Sequence, residues 1–187
     1  METAAPLPRG TRSPAWIAVL AAAGAIVALT VGLVAKTQRS DSPGGYFELF
    51  FSDPIHLKVW FASAAAVLAL FQLLTAAWIF GKLPFRKPAW VNPVHRWLGR
   101  LAFLFTLPVA YHCVFKLGYQ DYTDRVMAHS VLGSAFFGAY VTKVSIVRLR
   151  RFPRFTLPVA GGLLFAILIA VWYTSALWFF REVDTGF

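Results

Sequence analysis

Four histidines, His56, His95, His112 and His129, and a single cysteine, Cys113, are the side chains of this chain best suited to metal or electron chemistry, and all lie in or at the edge of long apolar runs. Metal-binding or ionisable residues at membrane depth are costly to place there, so they are functional candidates by default. Neutral imidazole is the usual protein ligand of haem iron, and two imidazoles from different helices give a six-coordinate iron suited to electron transfer. One cysteine allows no intrachain disulfide, no CxxC pair and no CxxCH attachment motif. Any haem is therefore held without a covalent link.

The runs carrying these residues are membrane-length. Hydrophobic residues make up 58% of the chain and charged residues only 14%, against roughly 25% charged in ordinary soluble domains, which excludes a water-soluble fold. A helix needs roughly 20 residues to cross the hydrocarbon, and several continuous runs reach that length. Their lack of apolar–polar alternation excludes a β-barrel. The expected fold is all-α, a polytopic membrane bundle forming one domain over residues 1–187, with five spans at about 15–35, 54–80, 94–117, 123–147 and 156–180. Asp53 followed by Pro54 is a helix start, Asn92 and Pro93 repeat that signal, and Gly118 is a natural stop. The first run is longer than the apolar region of a signal peptide and no A-x-A site follows it, so it reads as a retained anchor. The Pro-Gly-Gly turn and aromatic run between spans one and two suit the interface.

Charge gives the orientation. Arg9, Arg12, Lys82, Arg86, Lys87, Arg96, Arg100, Lys143, Arg148, Arg150, Arg151 and Arg154, twelve of the 18 basic residues, fall on one side of a five-span topology. Seven of the 8 acids, Asp41, Glu48, Asp53, Asp121, Asp124, Glu182 and Asp184, fall on the other. This asymmetry places the N-terminus in the cytoplasm and the C-terminus outside. Because the basic residues flank hydrophobic segments rather than forming one solvated tract, the charge of +10 indicates topology and not a nucleic-acid partner.

In that topology His56 opens span two, while His112 and His129 lie about one and a half and two turns inside the outer ends of spans three and four. Three imidazoles thus share one depth. His95 stands 17 residues from His112, about 25 Å along a helix, at the inner surface beside Arg96 and Trp97, where a hydrogen-bonded interfacial role suits it. One outer haem between two histidines fits this inventory; the inner halves of the other spans have no histidine, and Met1 and Met127 are wrongly placed. His56 shares a face with Trp60, Ser63 and Val67, and His129 with Gly133, Phe136 and Tyr140; the small residues would admit a flat macrocycle. On span three the small residues Gly99, Ala102, Thr106, Ala110 and Cys113 follow the face of His95, and His112 points roughly 100° away from Cys113. That weakens His112 as a ligand, although a kink at Pro108 would redirect it, and depth alone allows His112 with His129 equally well.

Three segments, PIHLKVW, NPVHRWLGRLAF and GYQDYTDRVMAHSVLG, resemble the histidine-bearing helix starts of the cytochrome b561 family over roughly residues 54–147. The resemblance implies a four-helix haem-binding core from helices two to five, with histidines paired across alternate helices, so that His56 and His129 are the metal ligands of an outer haem. An inner pair would join His95 to a histidine at the start of span five, where this chain has Arg154, Phe155 and Thr156. The expectation is one non-covalent haem b, with His112 as alternative ligand or supporting partner. Function follows as electron transfer between a membrane donor such as quinol and an outer-side carrier or redox subunit, in the plasma membrane of a bacterium, by an oxidoreductase subunit rather than a stand-alone enzyme. Two other readings are an outer-surface ferric or quinone reductase and a haem-free scaffold or small-solute transporter.

Overall fold

Asp53 starts a helix as its sequence context indicates: Oδ1 accepts the backbone N–H groups of Ile55 at 2.7 Å and His56 at 2.9 Å, and Pro54 occupies the first turn, where its missing donor costs nothing. A computed structural model describes residues 14–38, 44–149 and 152–183, and the regular structure among them is entirely helical. The helices are α1 (Pro14–Thr37), α2 (Pro54–Ile79), α3 (Val91–Ala110) prolonged by a π-helical segment Tyr111–Leu117, α4 (Asp124–Leu149), and α5 (Thr156–Trp172) prolonged by a second π segment Tyr173–Leu177 into α6 (Trp178–Glu182). They form five stretches long and apolar enough to cross a membrane. The chain is an integral membrane protein whose helices contact the bilayer. Met1, Arg9, Arg12, Asp41, Pro43, Arg150, Arg151 and Asp184, which entered the sequence reading, lie outside the described residues.

Two details depart from expectation. The third span begins at Val91 rather than at 94, with Trp90 at the cap position and no side-chain cap; Asn92 instead accepts a hydrogen bond from Lys87 Nζ at 3.3 Å. Pro93 is tolerated inside the first turn because N–H groups there have no intrahelical acceptor. The π segments were not foreseen. In the second, Thr174 Oγ1 donates to Ala170 O at 2.9 Å and Val171 O at 3.0 Å, and Ser175 Oγ donates to Val171 O at 2.7 Å. These hydroxyls occupy carbonyls that backbone N–H groups would otherwise claim, which widens the turn.

Consecutive helices run antiparallel. α2 packs on α3 and α5, α4 packs on α5 and α1, and Phe103 on α3 stacks on Tyr140 of α4 at 3.9 Å and 8°, so α2 to α5 form a ring with α1 outside it against α4. The α1–α4 crossing is close because Gly24 faces Gly138; a Cβ added at Gly24 would lie 2.7 Å from Gly138 O. Thr142 Oγ1 reaches Leu20 O across this seam at 3.2 Å. The ring's core is at mid-height, where Ala69, Phe136 and Leu168 are buried among Phe103, Phe137, Leu164, Phe165 and Ile167. Charge divides between the ends: Lys82, Arg96, Arg148 and Arg154 mark the end where α2 meets α3 and α4 meets α5, here the basic end, and Glu48, Asp53, Asp121 and Asp124 mark the far end.

Candidate functional site

The four imidazoles occupy three environments, and their hydrogen bonds are compatible with a common tautomer, the Nδ1–H form. His129, half-buried on α4, places Nδ1 3.2 Å from Thr174 Oγ1. When that hydroxyl's one proton goes to the Ala170 or Val171 carbonyl, its oxygen accepts from the ring, and His129 then carries its proton on Nδ1 and a lone pair on Nε2. His95 repeats the arrangement with Thr75, whose Oγ1 lies 2.8 Å from Nδ1 and donates to Phe71 O and Gln72 O. His56 places Nδ1 2.6 Å from Asp53 Oδ2, a carboxylate oxygen that only accepts. His112 donates from Nδ1 to Pro108 O at 2.8 Å, but its Nε2 accepts the backbone N–H of Phe47 at 3.3 Å.

In the Nδ1–H form three imidazoles offer an Nε2 for which no hydrogen-bond partner stands among the described residues, while both nitrogens of His112 are engaged in a fully buried position. Metal-bound histidines typically show the first pattern, with Nδ1–H held by a carboxylate, carbonyl or hydroxyl. His112 instead fastens the loop between α1 and α2 over the end of α3. Tyr46 and Phe47 pack on its ring at 5.8 and 4.5 Å, Tyr111 Oη donates to Gly45 O at 2.9 Å, and Lys116 Nζ donates to Gly44 O at 3.0 Å. The positive φ of Gly44 and Gly45 lets the loop turn there.

Depth is less uniform than the sequence suggests. His56 meets Phe179 at 5.6 Å and His129 meets Thr174, so their partners on the fifth span are five residues apart and His56 sits about a turn nearer the far end. The face His56 shares with Trp60 and Ser63 is partly taken by the fifth span: Trp172 Nε1 donates to Ser63 Oγ at 3.0 Å and Trp60 packs on Phe180 at 5.6 Å. The His129 face is more open. A Cβ added at Gly133, one turn along, would meet nothing within 4 Å.

A haem held between His56 and His129 fits these observations in three respects. Each offers a free Nε2 and a held Nδ1, α2 and α4 lie across the ring from one another, and Gly133 leaves room beside His129. Arg125, whose guanidinium donates to Thr174 O at 2.7 Å and lies 3.7 Å over the Trp178 ring, stands one turn before His129, and Lys58 is half-buried on α2 two residues past His56. Both would suit the macrocycle's carboxylates. No group of three or more His, Cys, Asp or Glu side chains gathers among the described residues, so a bare multi-ligand ion site is not built.

Asp53 couples the helix cap to this site. The backbone N–H of His56 is the main influence holding its carboxyl below the ordinary carboxylate range; slight desolvation opposes it, and the His56 ring and the Ile55 N–H act in the same downward sense. A depressed carboxylate contributes stability above its unfolded pKa of about 4 and loses that contribution as pH falls through its lower folded value. Asp53→Ala should cost about 1 kcal/mol through the cap, whereas Asp53→Ser should keep most of the cap and free His56. Thermal unfolding at neutral pH and near pH 3 checks this, since the wild-type advantage over Asp53→Ala should shrink in acid. An undiminished advantage would contradict a carboxylate origin.

Sequence reading missed the basic half of the ring. A cavity of about 980 Å³ lies there among α2, α3, α4 and α5, and His95 lines it rather than facing the interface. Gln72 crosses the gap, donating from Nε2 to His95 O at 2.5 Å and accepting from Lys143 Nζ at 3.4 Å. Polar Gln72 and Lys143 inside apolar runs were the available signal. No curated protein and no solved structure matches the chain. A family model described as "Family of unknown function (DUF6529)" matches residues 17–187, nearly the whole sequence, and the chain belongs to that family.

Proposed function

We propose that the protein is a membrane b-type cytochrome of cytochrome b561-like plan, with one non-covalent haem between His56 and His129. It passes electrons between a membrane donor such as quinol and a carrier or redox subunit on the outer side. The observation that carries this reading is the pair of imidazoles with anchored Nδ1 and unused Nε2 on opposite members of the ring. Bound haem would supply one-electron iron chemistry. The chain's own residues fix its setting: Asp53 and Thr174 hold the two rings as Nδ1–H tautomers, which directs the lone pairs at Nε2. Arg125 and Lys58 supply positive charge, and the aromatic residues of the fifth span keep water away.

Purified protein should show a low-spin b-type absorption spectrum and a pyridine haemochrome yield near one haem per chain. A haem-free preparation from haem-replete cells would reject the reading, and two haems per chain would reject the count. The charge division between the two ends supports a cytoplasmic basic end and an outer far end in a bacterial plasma membrane. A C-terminal alkaline phosphatase fusion should accordingly be active; activity only of a cytoplasmic reporter there would reverse the orientation.

A further inference from the structure

We infer that the cavity in the basic half of the ring is a binding site for an amphiphile with an anionic head, a carboxylate or a phosphate, and an apolar body. This does not rest on the haem reading, which concerns the other half of the ring. At about 980 Å³ the cavity is at the upper end of the range for small-molecule sites, roomy enough for a whole amphiphile. Its charged lining is of one sign: among the described residues Lys82, Arg96, Lys143 and Arg154 contribute to the wall and no carboxylate does. Lys143 is the decisive residue. It lies six residues before the end of α4, about 9 Å inside the helix, and its only partner among the described residues is the Gln72 amide oxygen.

An ammonium has three donors, so two remain for a ligand. An unpaired cation at membrane depth is costly, and an anion arriving from the basic end would relieve it. Gln72 cannot turn away, because its Nε2 is committed to His95 O, and it lies so close to Gly99 that a Cβ there would collide with it. His95 lines the same space, and with Nδ1 held at Thr75 its Nε2 can accept from a protonated or hydroxylated head group. Beyond these groups only Asn92 and Tyr140 add polar side chains, and the wall is otherwise apolar, with Ala69, Ala102, Phe136, Leu164 and Leu168 toward mid-height. The head therefore sits at Lys143 and the body extends toward Phe136.

Fatty acids and acidic phospholipids share this chemistry, and the test separates them. The full chain in a neutral detergent is titrated with spin-labelled stearate, its methyl ester, and spin-labelled phosphatidate, and the immobilised fraction is read by electron paramagnetic resonance. At least one acidic probe should bind ten-fold or more tightly than the ester. Retention of phosphatidate alone would identify a lipid phosphate, and retention of stearate a free carboxylate. Lys143→Gln should lose that preference and Lys143→Arg should keep it. Gly161→Leu should also lose binding, because a Cβ at this cavity-lining glycine meets nothing within 4 Å and its bulk enters open space without straining the fold. Equal binding of ester and acids, undiminished binding in Gly161→Leu, or loss of the haem spectrum in Gly161→Leu would overturn the inference, the last by making the cavity the haem site.

Discussion

Alanine at position 129 should lower haem occupancy of the purified chain at least ten-fold, alanine at 56 should do the same or leave a high-spin species, and alanine at 112 should leave the spectrum intact. The expectation follows from which nitrogens the protein has already used. His129 and His56 have Nε2 to give, whereas His112 spends both nitrogens on Pro108 and Phe47. His112→Ala should appear in stability instead, since it removes the acceptor of the half-buried Phe47 N–H, while Pro108 O keeps the Tyr111 N–H, and leaves a cavity under the loop, a loss of about 1–3 kcal/mol for an unsatisfied group. Thr174→Val separates ligation from orientation: it keeps His129 but removes the acceptor for Nδ1–H, and such supporting partners typically change affinity or activity 10–100-fold. His95→Ala should spare the haem because His95 lines the opposite half of the ring. Haemochrome yield and low-temperature spectra read all five variants. Normal low-spin haem in His56→Ala together with loss in His112→Ala would replace the proposed pair with His112 and His129.

Leucine at position 138 should separate α1 from α4 while leaving the four-helix ring folded. A Cβ at Gly138 would lie 3.0 Å from both the Ala28 Cβ and the Gly24 carbonyl carbon, so part of the obstacle is backbone and cannot rotate aside. Close helix contact through small residues is the main attraction available within lipid, where burial from water contributes nothing. Overpacking costs about 1–3 kcal/mol even where side chains can adjust, and the upper end applies here. The seam supplies its own reporter. A Cβ built at Gly32 lies 3.8 Å from Ser134 Cβ, within disulfide range, so Gly32→Cys with Ser134→Cys, in a chain where Cys113 is replaced by alanine, should cross-link on mild oxidation. Adding Gly138→Leu should abolish the cross-link and preserve the haem spectrum. A persistent cross-link would mean that the two helices tolerate the bulk.

Five spans were legible because apolar length is a property of each segment alone, and the Asp53–Pro54 start was legible because a cap needs only its own turn. The start at Asn92 misled for the converse reason: its side chain is drawn off by Lys87, a partner that the cap pattern does not include. The site was legible as residue types and less so as geometry. Ser63 has the small side chain that a macrocycle needs, yet Trp172, 109 residues away, donates to it. His112 looked like a rival ligand until the loop at Tyr46 and Phe47 was placed over it. The cavity escaped notice because it is a sum of positions on four helices, among them Ala76, Gly99 and Gly161, none unusual by itself.

The plug at mid-height has an electrical consequence. Ala69, Phe136 and Leu168 belong both to the buried core and to the upper wall of the cavity, so the cavity ends where the dry packing begins. With no amphiphile body in place, water or mobile ions entering that space would bring the potential of the basic side up to Phe136. The transmembrane voltage then falls across the remaining thickness instead of the full hydrocarbon core of roughly 30 Å. The local field strengthens in proportion, and a unit charge carried from the cavity past Phe136 to the far side does nearly the whole electrical work of crossing, roughly 2.3 kcal/mol for each 100 mV.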